Sequence, residues 1–182
     1  MSLALRRAVR ALEDGGVIAY PTEAVWGLGC DPADPLACAR LLALKRRPVE
    51  KGLIVIAARL EDFGDWLAPV PAAQAQKALQ SWPGPYTWLW PVTAAAPVWV
   101  TGGQPRLAIR LTAHPLARAL CEAFGPLIST SANRSGETPA RSASQVRLRF
   151  GQRLDALLPG ATGGAARPTE IRDLLSGEVL RL

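Results

Sequence analysis

The sequence predicts one α/β domain: a mixed sheet, parallel and antiparallel, surrounded by helices. Three observations carry this. Short apolar, β-rich runs alternate with segments whose apolar residues recur at helical spacing. The chain has 182 residues, 49% of them hydrophobic, enough for one core, and no internal repeat, low-complexity tract or linker divides it, so residues 1–182 are taken as a single domain. The closing stretch "TEIRDLLSGEVLRL" reads as a strand and a hairpin around Ser176-Gly177, so the last third departs from strand–helix alternation.

The elements follow in order. "LALRRAVRAL" places Leu5, Ala8, Val9 and Leu12 on one helical face behind a Ser2 cap, and Gly15-Gly16 ends it. "VIAY" is short and apolar, and Pro21 stops it. "PTEAVWGLGC" therefore begins at the carboxyl end of a strand, where open α/β sheets bind ligands. "DPLACARLLALKRRP" has Asp34 as N-cap, Pro35 at the first helical position and helical spacing as far as Leu44, delivering "KRRP" at its C-terminal end. "GLIVIA" reads as a fully buried strand and "PAAQAQKALQSW" as a helix broken by "PGP". "YTWLWPV" and "LAIRL" follow as strands, "PLARALCEAF" as a helix closed by Gly125-Pro126, and "LIST" as a strand running into "SANRSG". "SASQVRLRF" opens on a capping box from Ser142 to Gln145, while "AAAP" and "GATGGAARP" read as loops.

Composition narrows the function classes. Apolar runs such as "LIVIA" fall short of the roughly 20 residues of a membrane span, and the arginine-bearing amphipathic start does not read as a secretory signal. A cytoplasmic protein without a membrane segment is expected. Cys30, Cys38 and Cys121 lack metal-ligand spacing and read as buried thiols. The single histidine, His114, precedes Pro115 where a helix begins, which makes it a helix-start residue before it is a catalytic one. The net charge of +6 suits an anionic ligand or RNA, and arginine-rich composition by itself also produces it, so position has to decide.

The P-loop pattern is absent, "GLGCDP" lacks the third glycine of a dinucleotide fingerprint, and neither H-E-x-x-H nor G-x-S-x-G occurs. Four polar, turn-rich segments remain. In "YPTEAVWGLGC" the hydroxyl of Thr22 follows a proline that fixes the backbone; the alternative is an ordinary turn with Trp26 in the core. "KRRPVEK" gathers Lys45, Arg46, Arg47 and Lys51, as a polyphosphate requires, although cations at a helix C-terminus also answer its macrodipole. "SWPGPYT" is a rigid turn that either preorganises Thr87 or connects helix to strand. "ISTSANRSG" crowds Ser129, Thr130, Ser131, Asn133 and Ser135 past a buried strand, which suits phosphate and sugar oxygens or a loop that satisfies its own backbone. Arg110, inside apolar "LAIRL", needs an anionic partner or solvent.

"YPTEAVWGLGC", "LKRRPVEKGLIVIA", "WPGPYTW", "LAIRLTAHPL" and "ISTSANRSG" resemble, in order, the successive motifs of the YrdC/TsaC family of threonylcarbamoyl-AMP synthases, and "PTEIRD" resembles its closing strand. The resemblance runs from about Ala4 to the C-terminus and points to the short bacterial type, without the extra C-terminal domain of longer relatives. It implies a YrdC-like fold, a twisted mixed sheet within helices, with one large electropositive concave site. It also implies formation of L-threonylcarbamoyladenylate and pyrophosphate from L-threonine, bicarbonate and ATP. The product would serve N6-threonylcarbamoyladenosine (t6A) formation at position 37 of tRNAs reading ANN codons, with transfer left to downstream partner proteins.

Carried over by residue, Thr22 would meet threonine and Arg110 its carboxylate, while Lys45 and Arg47 would stabilise phosphate charge at a solvent-reached site. Thr87, Ser129, Ser131 and Asn133 would line the nucleotide and carbamate region. No protein nucleophile is required and no metal ligand comes from the protein; Mg2+ would enter with ATP. Two departures bear on the threonine pocket: Ile56 stands where longer relatives tend to carry histidine, and Trp26 replaces a smaller aromatic. The competing readings are a module of the same fold that binds double-stranded RNA or tRNA without synthase activity, and a carbamoyl-transferring relative.

Overall fold

The computed structural model describes residues 1–165 and 169–181. Helix α1 (Leu3–Glu13) begins where Ser2 Oγ accepts from Leu5 N and buries Leu5, Ala8, Val9 and Leu12, the face expected from the spacing. Strand β1 (Ile18–Pro21) then turns directly into β2 (Trp26–Gly29), paired antiparallel with Ile18 opposite Gly29 and Pro21 opposite Trp26. The stretch read from the sequence as one loop after a strand is thus a hairpin whose turn is confined to residues 22–25. "WGLG" does not announce a strand, because glycine is depleted there. Its glycines answer packing: a Cβ on Gly29 would lie 2.5 Å from Ile128 O and 2.8 Å from Tyr20 Cε1.

Helix α2 (Pro35–Lys45) is capped as expected by Asp34, whose carboxylate accepts from Leu36 N and Ala37 N. It ends in Arg46 at φ 50°, a left-handed residue that swings "RP" back across the helix end. The order continues with β3 (Ile54–Ala57), α3 (Ala72–Ser81), β4 (Tyr86–Pro91), α4 (Val98–Thr101), β5 (Arg106–Leu111) and α5 (Pro115–Phe124). "LIST" is not one strand. It divides into β6 (Leu127–Ile128) and β7 (Thr130–Ser131), which belong to different sheets. Helix α6 (Ala143–Phe150), β8 (Ala156–Leu157), β9 (Glu170–Asp173) and β10 (Val179–Arg181) complete the described chain. At α6, Ser142 Oγ accepts from Gln145 N, but Gln145 Oε1 reaches Arg141 N instead of closing the box on Ser142. Of "GATGGAARP", residues 166–168 lie outside the described residues.

Mixed pairing is present, distributed over two sheets among the described residues: β7-β2-β1-β8 and β10-β9-β4-β5-β3-β6. Parallel pairs join β1 to β8, β3 to β5 and β4 to β9; the terminal β9–β10 hairpin is antiparallel, as expected. One core packs Trp26, Trp88, Trp90 and Phe150 with Leu41 of α2; the other packs Leu5 and Leu12 of α1 with Leu120 of α5 and with Ile56, which is fully buried. The three cysteines are free and buried. No described helix is long and apolar enough to cross a membrane.

Because the close approach at Gly29 is to backbone oxygen and an aromatic ring, neither of which moves cheaply, Gly29→Ala should lower the melting temperature by roughly 5 °C, the effect of overpacking a buried site. An unchanged melting curve would show that β2 can shift away from Ile128.

Candidate functional site

A cavity of about 420 Å³ opens where the two sheets meet. Four pieces of chain build it: the β1–β2 turn with Thr22 and Trp26, the end of α2 with Lys45 and Arg47, β5 with Arg110, and the segment from Ser129 to Gly136. Lys51, Leu53, Ile54, Pro139 and Thr169 also line it. Three of the four segments singled out in the sequence converge there. The reason is topological: Ser129 N donates to Ile54 O of β3, while Thr130 pairs with Leu28 of β2, so the chain crosses from one sheet to the other at Ser129. The hydroxyl-rich run that follows is delivered between them.

Strand β5 turns Leu107, Ile109 and Leu111 into the core and leaves Arg110 on the opposite face, in register with Ile56. Only 4% of Arg110 is exposed. The anion it requires is Glu23, whose Oε2 lies 2.6 Å from Arg110 Nη1. Contact is close but lacks the alignment of a hydrogen bond, and Arg110 Nε, also buried, has no hydrogen-bond partner among the described residues. Glu23 Oε1 accepts from Thr112 Oγ1 at 2.8 Å and from the Ala113 and His114 amides. Burial alone would raise the Glu23 carboxyl; the Arg110 charge, with the hydrogen bonds, outweighs it and holds the group below the usual carboxylate range. Sequence reasoning gave Glu23 no role. The available signal was the one acid of a buried turn matched by an arginine inside the apolar run "LAIRL".

Thr22 is a turn residue and a wall residue at once. Its Oγ1 donates to Val25 O at 2.7 Å, which uses its proton locally and leaves its lone pairs as acceptors. Asn133 is similar: Nδ2 donates to Arg134 O and Glu137 O, both at 2.8 Å, while Oδ1 is buried without a partner. The loop therefore satisfies much of its own backbone and still presents an orphan acceptor beside the cavity.

Lys45 corrects an expectation. It is 3% exposed, not solvent-reached. Its Nζ donates to Ser131 O and, at 2.8 Å, to Asn133 O, and its own carbonyl accepts from Ser135 N. The lysine thus clips the 131–135 loop at three points. Burial, and secondarily the nearby Arg47 charge, lower its pKa from 10.5 to about 8. Arg47 is half-buried, with Nε and Nη2 on Gly52 O and Nη2 also on Lys51 O; burial lowers its pKa.

Thr87 is the second correction. It is fully buried and does not line the cavity; its hydroxyl lies 3.3 Å from that of Thr169, which does. "SWPGPYT" works through packing instead: Trp82 stacks on Trp90 with centroids 6.5 Å apart, and its Nε1 donates to Tyr86 O. His114 occupies the N-cap position before Pro115, with Nε2 3.1 Å from Ala161 O, in keeping with its reading as a helix-start residue.

Since the folded pKa of Lys45 lies below its unfolded value, the native state carries a charged-lysine penalty below about pH 8 that is relieved as the group deprotonates. Between about pH 8 and 10 the wild type should therefore gain thermal stability relative to Lys45→Met. A difference that stays flat over this range would mean that Lys45 titrates as an ordinary lysine.

The family model described as telomere recombination, Sua5/yciO/yrdC, matches residues 10–182. A protein of Halorhodospira halophila named threonylcarbamoyl-AMP synthase is 58% identical over 178 residues, 97% of this chain and 93% of its own length. A protein of the same name from Alkalilimnicola ehrlichii is 56% identical over 97% of this chain and 94% of its own. The structure of P. abyssi Sua5 complexed with L-threonine superposes with a TM-score of 0.89 at 30% identity, over 96% of this chain and 52% of the other, so this chain spans about half of that protein.

Proposed function

The chain belongs to the Sua5/YciO/YrdC family, and from that premise we propose that it is a threonylcarbamoyl-AMP synthase, a nucleotidyltransferase acting in tRNA t6A modification. The observation that carries this reading is the convergence, on one cavity, of four cationic side chains, Lys45, Arg47, Lys51 and Arg110, with the hydroxyls of Thr22, Ser129 and Ser131. Such a lining receives a polyphosphate and a small polar zwitterion together.

In this reading the threonine amine captures CO2 from bicarbonate as a carbamate, with release of water. A carbamate oxygen then attacks the α-phosphorus of ATP, the bond to the bridging oxygen breaks, and pyrophosphate leaves. Positioning and charge stabilisation suffice for such a step. Arg110 takes the threonine carboxylate, for which its partnerless Nε is a ready donor, and Thr22 offers its lone pairs to the same substrate. Arg47 faces phosphate, and Lys45 contributes its charge from behind the loop it clips. Ser129, Ser131 and Asn133 line the nucleotide and carbamate region; Thr87 is given no part.

Mg2+ accompanies ATP in this proposal. Its ligands in this reading are phosphate oxygens and water. The product passes to separate t6A transfer proteins, tRNA is an additional partner, and the cytoplasm is the site of action. An RNA-binding module without synthase activity is not favoured, since Arg110, 4% exposed, lies out of reach of a nucleic-acid backbone.

Pyrophosphate release from ATP should require both threonine and bicarbonate when each is omitted in turn; equal release without threonine would sink the reading. Arg110→Lys, which keeps the charge but not the planar fork, should raise the threonine KM by about 30-fold or more with little change for ATP. Equal loss of affinity for both substrates would instead make Arg110 a structural ion-pair member.

A further inference from the structure

Glu23 takes no part in the reaction as written above, yet both of its carboxylate oxygens are engaged. Oε1 accepts from Thr112 Oγ1, Ala113 N and His114 N, and Oε2 lies 2.6 Å from Arg110 Nη1. Arginine–carboxylate pairs frequently close as a two-bond fork. Here residues 112–114 occupy one oxygen, so the guanidinium is held at one corner. Arg110 Nε is left buried and without a partner in a residue that lines the cavity, and an unpaired buried donor calls for a missing acceptor.

The three donors to Oε1 lie on the connection that follows β5, the strand bearing Arg110. Turning the Glu23 carboxylate toward a fork would break bonds to that connection. The one-cornered grip is thus built in, with Glu23 arriving from the β1–β2 turn of the other sheet. Glu23 also offsets the Arg110 charge, whereas Lys45 and Arg47 rest on backbone carbonyls and have no carboxylate partner among the described residues, so the Arg110 side of the cavity suits a zwitterionic amino acid better than a polyphosphate.

We propose that Glu23 is a positioning residue for the amino-acid substrate: it fixes the Arg110 guanidinium so that the Nε edge meets the threonine carboxylate. This rests on the synthase reading. Glu23→Gln keeps an acceptor for residues 112–114 and removes the charge that holds Nη1. With the full chain, threonine affinity measured by calorimetry should fall on the order of 30-fold while ATP affinity stays near wild type, and the melting temperature should fall because Arg110 loses its buried anion. In the Arg110→Lys background the same substitution should cost no further threonine affinity, because Glu23 acts through the arginine.

If Glu23→Gln does not fold, Glu23→Asp, which shortens the grip but keeps its charge, is measured in the same way with the same expectation of a selective threonine loss. Wild-type threonine affinity in a folded variant, multiplicative losses in the double mutant, or equal losses for threonine and ATP would each overturn the inference. Wild-type protein that shows threonine-dependent pyrophosphate release alongside an unaffected Glu23→Gln variant would overturn it alone and leave the synthase reading standing.

Discussion

A guanidinium buried in an apolar strand must be given an anion, because the alternative is an uncompensated charge in a low-dielectric interior. Arg110 meets that demand with Glu23, a residue from the turn of the other sheet. The pair therefore does more than neutralise. It ties the β1–β2 turn to the end of β5 at the cavity, and through residues 112–114 it extends to the start of α5. The carbonyl of Glu23 accepts from Ala165 N and that of Thr22 from Gly163 N, so the same turn also anchors residues 163–165.

The opposite wall is held by a second buried cation. Lys45 has no carboxylate partner among the described residues; its ammonium is satisfied by two carbonyl oxygens of the loop after the sheet crossing. Charge-assisted bonds to backbone position a loop without neutralising the site. This arrangement leaves the cavity lined by cations while its loop stays ordered, and one lysine serves both as a structural clip and as a source of positive potential behind that loop. Two cations of similar burial thus have different duties because one faces a carboxylate and the other faces carbonyls.

Much of the architecture was legible in one dimension. Helices α1, α2 and α5 carry their own start and stop signals, at Ser2, at Asp34-Pro35 and at Pro115 with Gly125, and a cap acts on residues within one turn of itself. "LIVIA" and "LAIRL" are long enough in apolar residues to name themselves as strands. Less legible were β2 and the division of "LIST". Gly29 lies in β2 because Ile128 O and Tyr20 leave no room for a side chain, and the break at Ser129 exists because two sheets share the five residues 127–131. Both causes reside in residues distant along the chain.

For the site, the sequence by itself determined which chemistries are present: a hydroxyl-rich loop, a basic helix end and an arginine that could not remain alone in "LAIRL". It did so because charge and hydrogen-bonding capacity belong to residue types. Only the tertiary structure decided who faces whom. It sent Thr87 into the interior, turned Lys45 inward onto carbonyl oxygens, and brought Glu23 across 87 positions to Arg110. The physical reason is that a buried polar group is defined by its partner, and partners are selected by how strands register and sheets close, which residue identity alone does not encode.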